Sequence, residues 1–188
     1  MAFEIERKFL VNNNSFLETY SKHSKISQAY IFIEDNRVLR IRKIDDECVF
    51  SLKIGLNQIK RLEFEYSIPK SDADIIISSS KYNLIEKDRY YVKHHDGKIW
   101  EVDVFKGLNK GLIVAEIELD NEFDKFLKPS WIGKEVSDVD KYLNYNLSIK
   151  NGAITNDTTD INLIKIFSEG PDVSLKGSPT VSPTTAAL

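Results

Sequence analysis

The sequence predicts a mainly β (α+β) fold: an eight-stranded antiparallel barrel closed on itself, with a few flanking helices. Three observations predict it. Short runs in which charged and apolar residues alternate recur between residue 3 and about residue 120, and a strand turns successive side chains to opposite faces. Turn residues separate the runs, among them Glu34-Asp35-Asn36, Asp45-Asp46 and Asp96-Gly97. On nearly every run the polar row is charged rather than Ser, Thr or Gln. Closing such a sheet makes a barrel with a charged lumen and an apolar outside, which helices or a partner chain must cover.

The elements follow in order. Residues 3–11 alternate as a first strand, with Glu4, Glu6 and Lys8 on one face and Phe3, Ile5 and Phe9 on the other; Arg7 interrupts the apolar row. Residues 14–22 are expected to be helical. Strands follow at 26–34, 38–44, 48–54 and 59–68, the last stopping before Pro69. Ser71 or Asp72 can cap a short helix running to about Ser80. Residues 84–94 and 98–105 flank Asp96-Gly97 as a hairpin, and a strand at 112–120 follows the turn from Gly107 to Gly111. A last helix is expected at 138–147.

Bulk properties narrow the class. The chain has 188 residues, enough for one domain with an appendage, and a hydrophobic fraction of 41%, enough for a core. A net charge of −3 offers no general attraction for nucleic acid or anionic membrane. One cysteine, Cys48, excludes an intramolecular disulfide and suits a reducing cytoplasm. There is no signal-peptide pattern and no apolar run of membrane-spanning length, so a cytoplasmic protein is expected. The domain is expected over 1–150. The segment 151–188 ends in a stretch rich in Ser, Thr, Pro and Gly and is expected to be a flexible extension.

The charged rows carry the chemistry. Arg40 and Arg42, Lys53, Arg61 with Glu63 and Glu65, Lys87 with Arg89, Glu101 with Asp103, and Glu116 with Glu118 repeat the pattern of Glu4, Glu6 and Lys8. In a chain with 29% charged residues, chance alone gives about 16 charged pairs two apart. No single pair is therefore informative, and any one of them reads most simply as a solvated sheet face. The set is different, because like charges side by side are unfavourable unless counter-charges face them. Collected in one lumen, these side chains amount to about +7 against −8, and two divalent cations would bring the balance to about +3, complementary to a triphosphate of roughly −4 to −5. Carboxylate oxygens without His or Cys suit Mg²⁺ or Mn²⁺ rather than Zn²⁺. Arginines suit bidentate phosphate contacts and lysines point-charge contacts.

The ordered set, from Glu4-x-Glu6-x-Lys8 to Glu116-x-Glu118, resembles the CYTH-domain proteins, the triphosphate tunnel metalloenzymes. The stretch Trp131-Ile132-Gly133-Lys134-Glu135-Val136 running into Asp140-Lys141-Tyr142-x-Asn144 resembles the C-terminal signature of short bacterial members, and the likeness covers about residues 2–150. The resemblance implies a tunnel barrel that binds a triphosphate and uses Mg²⁺ or Mn²⁺ to hydrolyse it or, in some branches, to cyclise ATP. By motif, Glu4, Glu6 and Glu118 would hold the principal metal with Glu116 nearby. Lys8, Arg40, Arg42, Lys53, Arg61, Lys87 and Arg89 would contact phosphates, with Lys134 and Lys141 as further basic candidates. Glu63, Glu65 and Asp103 would serve catalysis through a second metal or by orienting the arginines, and Lys8 could also position the first-strand carboxylates. The favoured activity is hydrolysis of inorganic tripolyphosphate. Thiamine or nucleoside triphosphate hydrolysis, adenylate cyclisation and a non-catalytic polyphosphate- or nucleotide-binding module are the alternatives. The partner is a small-molecule triphosphate, not nucleic acid or membrane, and an apolar barrel exterior suits a homodimer.

Other residues read blandly. His94 and His95 would face opposite ways at a hairpin end. Cys48 reads as a small core residue, Trp100 as packing outside the barrel, and Trp131 as core in preference to a stacking platform at a tunnel mouth.

Overall fold

A computed structural model describes residues 3–57 and 59–149, so the expected extension 151–188 lies outside the described residues. Its strands are β1 (Phe3–Val11), β2 (Lys22–Glu34), β3 (Arg37–Ile44), β4 (Glu47–Gly55), β5 (Lys60–Ser67), β6 (Ile85–Lys93), β7 (Ile99–Phe105), β8 (Ile113–Glu118) and β9 (Ile132–Glu135). Helix α1 spans Lys70–Ser78 and α2 spans Asn144–Ile149. The sheet order is β5-β4-β3-β2-β6-β7-β8-β1-β9, and pairing of β5 with β1 closes the first eight strands into a barrel. All pairings are antiparallel, and β1 carries the seam. Its first residues pair with β5, its last with β9, and its other edge pairs with β8. The expected eight-stranded barrel is present, and its eight strands fall at the alternating runs.

Four details correct the sequence reading. Residues 14–22 form only a 3₁₀ turn at Ser15–Glu18 before β2 begins. Of this stretch only Lys22 belongs to β2, where it pairs with Tyr91 of β6. The last helix is split into a 3₁₀ turn at Asp140–Tyr142 and α2. Residues 132–135, not expected as a strand, dock on the edge of β1 that β5 leaves free. Gly97 takes φ 83° in its hairpin, as a turn glycine does. His94 and His95 lie at this turn rather than on a regular strand, and their rings stand together at 4.7 Å instead of facing apart.

The apolar residues form three cores. The first covers the barrel outside: Phe9, Trp100, Val102, Ala115 and Ile117 pack under Phe16, Trp131 and Ile132. Both tryptophans are buried there. The second lies inside one end of the barrel, where Leu10, Tyr30, Val38, Ile85, Phe105 and Val114 meet Val136, Tyr142 and Leu147 from the C-terminal segment. The third is small and lies under α1, joining Ile41, Cys48 and Ala73. Outside all three, the register aligns Leu39, Leu52 and Phe64 in one row across β3, β4 and β5. Among the described residues no helix is long and apolar enough to cross a membrane.

Arg7, which interrupts the apolar row of β1, turns outward and clamps β9. Its Nε and Nη2 each donate to Glu135 at 2.6 Å, and Ser137 Oγ donates to the same carboxylate at 2.9 Å. Burial pushes the Glu135 carboxyl up, but the Arg7 and Ser137 hydrogen bonds outweigh it and hold the group below its ordinary 4.5. A carboxyl lowered by folding contributes stability that is complete above its unfolded value and is lost as pH falls through its folded value. Arg7→Met is therefore expected to cost about 1 kcal/mol of unfolding free energy at pH 7, with the deficit shrinking as pH falls below 4.5. Urea unfolding at a series of pH values checks this, and a deficit that grows in acid would contradict the clamp.

Candidate active site

Side chains that alternate inward from all eight barrel strands line a cavity of about 470 Å³. Its walls carry Glu4, Glu6 and Lys8 from β1, Tyr30 from β2, Arg40 and Arg42 from β3, and Lys53 from β4. The circuit continues with Arg61, Glu63 and Glu65 from β5, Arg89 from β6, Glu101 from β7, and Glu116 and Glu118 from β8. Asp35, Asn36, Gly55 and Asn57 line it at the hairpin ends, and Asp140, Leu143, Asn144 and Tyr145 enter from the C-terminal segment.

The strand register sets opposite charges face to face. Glu4 lies across from Arg61, Lys8 from Glu116, Lys53 from Glu63, and Arg89 from Asp103. Lys53 Nζ donates to both oxygens of Glu4 at 2.7 Å and lies 3.0 Å from Glu63. Arg61 Nε lies 3.0 Å from Glu4, and its Nη2 pairs with Glu6. Lys8 Nζ lies 2.7 Å from Glu6 and also pairs with Glu116. Arg40 reaches Glu63 at 3.3 Å and Glu65 at 3.7 Å, and Arg42 reaches Glu65 at 3.8 Å. Ser51 fixes Glu65 from the neighbouring strand at 2.7 Å. Arg89 forks onto Asp103 at 2.7 and 2.6 Å, and joins Glu116 at 2.9 Å and Glu101.

Two register pairs set like charges face to face. Glu101 opposite Glu116 is bridged by Arg89. Glu6 opposite Glu118 has no such bridge, and among the described residues Glu118 is the cavity carboxylate on a barrel strand without a salt bridge to Lys or Arg.

Protonation follows this pattern. Burial, then the neighbouring Glu6, pushes the Glu4 carboxyl up to about 7 against the pull of Lys53 and Arg61. Burial also raises Glu6, but Lys8 and Arg61 outweigh it and hold that group at about 2. Glu116 is likewise held well below the carboxylate range against burial by Lys8 and Arg89. Glu118, at the rim, is raised by desolvation and then by Glu6 and Glu63. Burial lowers the Lys87 ammonium although Asp103 opposes it.

Not every expected residue lines the cavity. Lys87 and Asp103 pair behind it, 2% and 0% exposed. Asp103 thereby fixes Lys87 and Arg89 from behind rather than facing the cavity. Lys134 corrects the expectation of a phosphate contact: it stands exposed on β9, which is added outside the barrel. Lys141 sits over the Tyr142 ring at 4.8 Å, and its neighbours Asp140, Leu143 and Asn144 line the tunnel in its place.

Tyr30 is a cavity residue that the alternating charges did not reveal. It lies opposite Arg40, and its hydroxyl accepts from Gln28 Nε2 at 2.9 Å. Burial pushes its pKa up to about 12, so it stays a neutral hydroxyl. Nothing in its own strand marks it, since an aromatic in an apolar run reads as core until the register with Arg40 is known.

Two observations bear on ligands. The buried Nε atoms of Arg40 and Arg42 find no acceptor among the described residues, which suits an anion. The Glu6–Glu118 juxtaposition suits a hard cation, because directly opposed like charges are unfavourable and both donors are carboxylate oxygens. Among the described residues no three acidic, His or Cys side chains already converge as a ligand set.

Comparison with known proteins places these features in context. A protein-family model described as the CYTH domain matches residues 2–148. The chain is 41% identical over 152 residues to an inorganic triphosphatase of Acetivibrio thermocellus, covering 80% of this chain and 96% of that protein. It is 31% identical over 149 residues to an inorganic triphosphatase of Nitrosomonas europaea, covering 78% and 97% of the two chains. The crystal structure of an inorganic triphosphatase superimposes with a TM-score of 0.58 at 30% identity, covering 81% of this chain and 98% of that one.

Burial predicts which ion pairs carry stability. Asp103→Asn removes the charge that two buried bases share and is expected to cost about 3–5 kcal/mol. Glu65→Gln acts on a side chain that is 42% exposed and is expected to cost no more than about 1 kcal/mol. Denaturant unfolding of both variants measures the difference; equal costs would show that the network is not layered by burial.

Proposed function

Because this chain belongs to the CYTH-domain family, we propose that it is a divalent-metal-dependent triphosphatase whose substrate is inorganic tripolyphosphate. The observation that carries the reading is one cavity in which bases from β1, β3, β4, β5 and β6 face carboxylates of β1, β5, β7 and β8, and in which Glu118, opposite Glu6, has no salt bridge to Lys or Arg among the described residues. The relatives' activity as inorganic triphosphatases supports it. So does a wall that is charged around most of its circuit.

In this reading Glu4, Glu6 and Glu118 hold Mg²⁺ or Mn²⁺, with Glu116 beside them, and the oxygen-only donor set suits either ion. When bound, the metal offsets charge on the phosphate oxygens and makes a water more acidic. The protein's own side chains do the rest. Lys8, Lys53, Arg61, Arg40 and Arg42 bind phosphate oxygens and hold the chain in line for attack by water. Tyr30 offers a neutral O–H beside Arg40. Glu63 and Glu65 orient Arg40 and Arg42, and Asp103 orients Arg89, as their ion pairs support. A cytoplasmic setting and a small-molecule partner, without nucleic acid or membrane, complete the proposal.

The test is incubation with tripolyphosphate, ATP or thiamine triphosphate, with Mg²⁺ or Mn²⁺, followed by assay of phosphate, pyrophosphate and cyclic AMP. Phosphate and pyrophosphate from tripolyphosphate are expected, in preference to turnover of the organic triphosphates. Cyclic AMP as the main product would mark a cyclase. Tight tripolyphosphate binding without turnover of any substrate would mark a binding module. Glu6→Gln is expected to lower turnover by about 100-fold or more with the fold retained, whereas Lys134→Ala and truncation at about residue 151 are expected to leave it unchanged.

A further inference from the structure

Among the described residues, each base on the cavity wall is engaged by a cavity carboxylate. Two of the three carboxylates assigned to the metal are each held by two bases. Glu4 is held by Lys53 and Arg61, and Glu6 by Lys8 and Arg61. Lys8 also reaches Glu116. These bases have little water to fall back on, the side chains of Lys8 and Lys53 being 6% and 11% exposed.

From this geometry we propose that Lys8, Lys53 and Arg61 are stand-in cations for the metal, so that a divalent metal and a polyphosphate load the tunnel cooperatively. The idea rests on the proposed function for the two ligand classes, but not on turnover.

A metal that binds alone must take Glu4 and Glu6 from their bases. It leaves buried ammonium and guanidinium groups short of counter-charge, which is strongly unfavourable. A polyphosphate that binds alone must take the bases and leaves buried carboxylates facing an incoming polyanion. When both enter, the pairs exchange partners: the metal replaces the bases on the carboxylates, and the phosphate oxygens replace the carboxylates on the bases. No buried charge is then left over. Such coupling is reciprocal, each ligand tightening the other by the same factor, commonly about 5–150-fold.

The proposal separates from simpler roles at Lys8. If Lys8 only grips phosphate, removing its charge does nothing to metal binding without polyanion. If it positions Glu6 as a ligand, removing it weakens the metal. If it is a stand-in cation, removing it strengthens the metal. Calorimetric titration of Mn²⁺ into the full chain, free of phosphate, is therefore expected to give a dissociation constant roughly tenfold lower for Lys8→Met than for the wild type. An unchanged or weaker affinity, in a variant whose circular dichroism is native, overturns the proposal. Should Lys8→Met fail to fold, the wild type decides. Mn²⁺ binding is expected to be several-fold tighter in sodium sulfate than in sodium chloride at equal ionic strength, because the oxyanion occupies the bases; equal constants overturn it. Neither titration requires catalysis, so a negative triphosphatase assay would leave this result readable on its own.

Discussion

A closed barrel that points charged side chains inward must neutralise them against one another, because bulk water reaches few of them. That requirement governs the rest of this structure. It explains why bases and carboxylates meet across neighbouring backbones: Lys53 meets Glu63, Arg61 meets Glu4, and Lys8 meets Glu116. A register slip of one residue would turn every charge on a strand outward and every apolar residue inward. Pairing in the lumen thus specifies register as strongly as a hydrophobic core does in an ordinary sheet.

The same inversion sets the architecture outside. With charges in the lumen, the apolar faces of β6, β7, β8 and β1 look outward and need cover. Phe16, Trp131 and Ile132 supply it on one side, and α1 supplies a smaller cover over Ile41 and Cys48. The staggered end of the barrel is the exception. There Leu10, Ile85, Phe105 and Val114 occupy inward positions and pack against Val136, Tyr142 and Leu147. The barrel therefore has an apolar floor on that side, and the charged cavity occupies the remainder. The C-terminal segment belongs to the fold through this floor and to the cavity through Leu143 and Tyr145.

Much of this was legible in the sequence because a strand's period of two is local. The rows from Glu4 to Glu118 could be read directly, and their collective balance pointed to a closed lumen. What could not be read depends on register or on long-range packing. Tyr30 becomes a cavity residue only when it is set opposite Arg40. Strand β9 is four residues long and forms because β5 leaves part of the β1 edge free, which no local pattern announces. Residues 14–22 read locally as a helix, yet only Ser15–Glu18 turns helically, with Phe16 buried against Tyr90 and Trp131 from distant parts of the chain. Lys134 failed for a related reason: its basic character matched an expected role, but β9 lies outside the barrel and cannot deliver it to the lumen.

The place where internal pairing stops is the most informative one. An anion-binding module would gain by replacing Glu118 with a neutral residue, since it faces Glu6 with no base between them. Opposed like charges on neighbouring strands cost on the order of 0.2–1 kcal/mol even where solvent is near. The chain keeps this cost at a position where the surrounding carboxylates are otherwise matched by bases. A cation between the two strands would remove the penalty, and the adjacent bases would then be available to an anion. The unmatched carboxylate and the matched ones therefore belong to one arrangement: Glu118 offers the first carboxylate to a metal, and Lys8, Lys53 and Arg61 hold Glu4 and Glu6 in reserve.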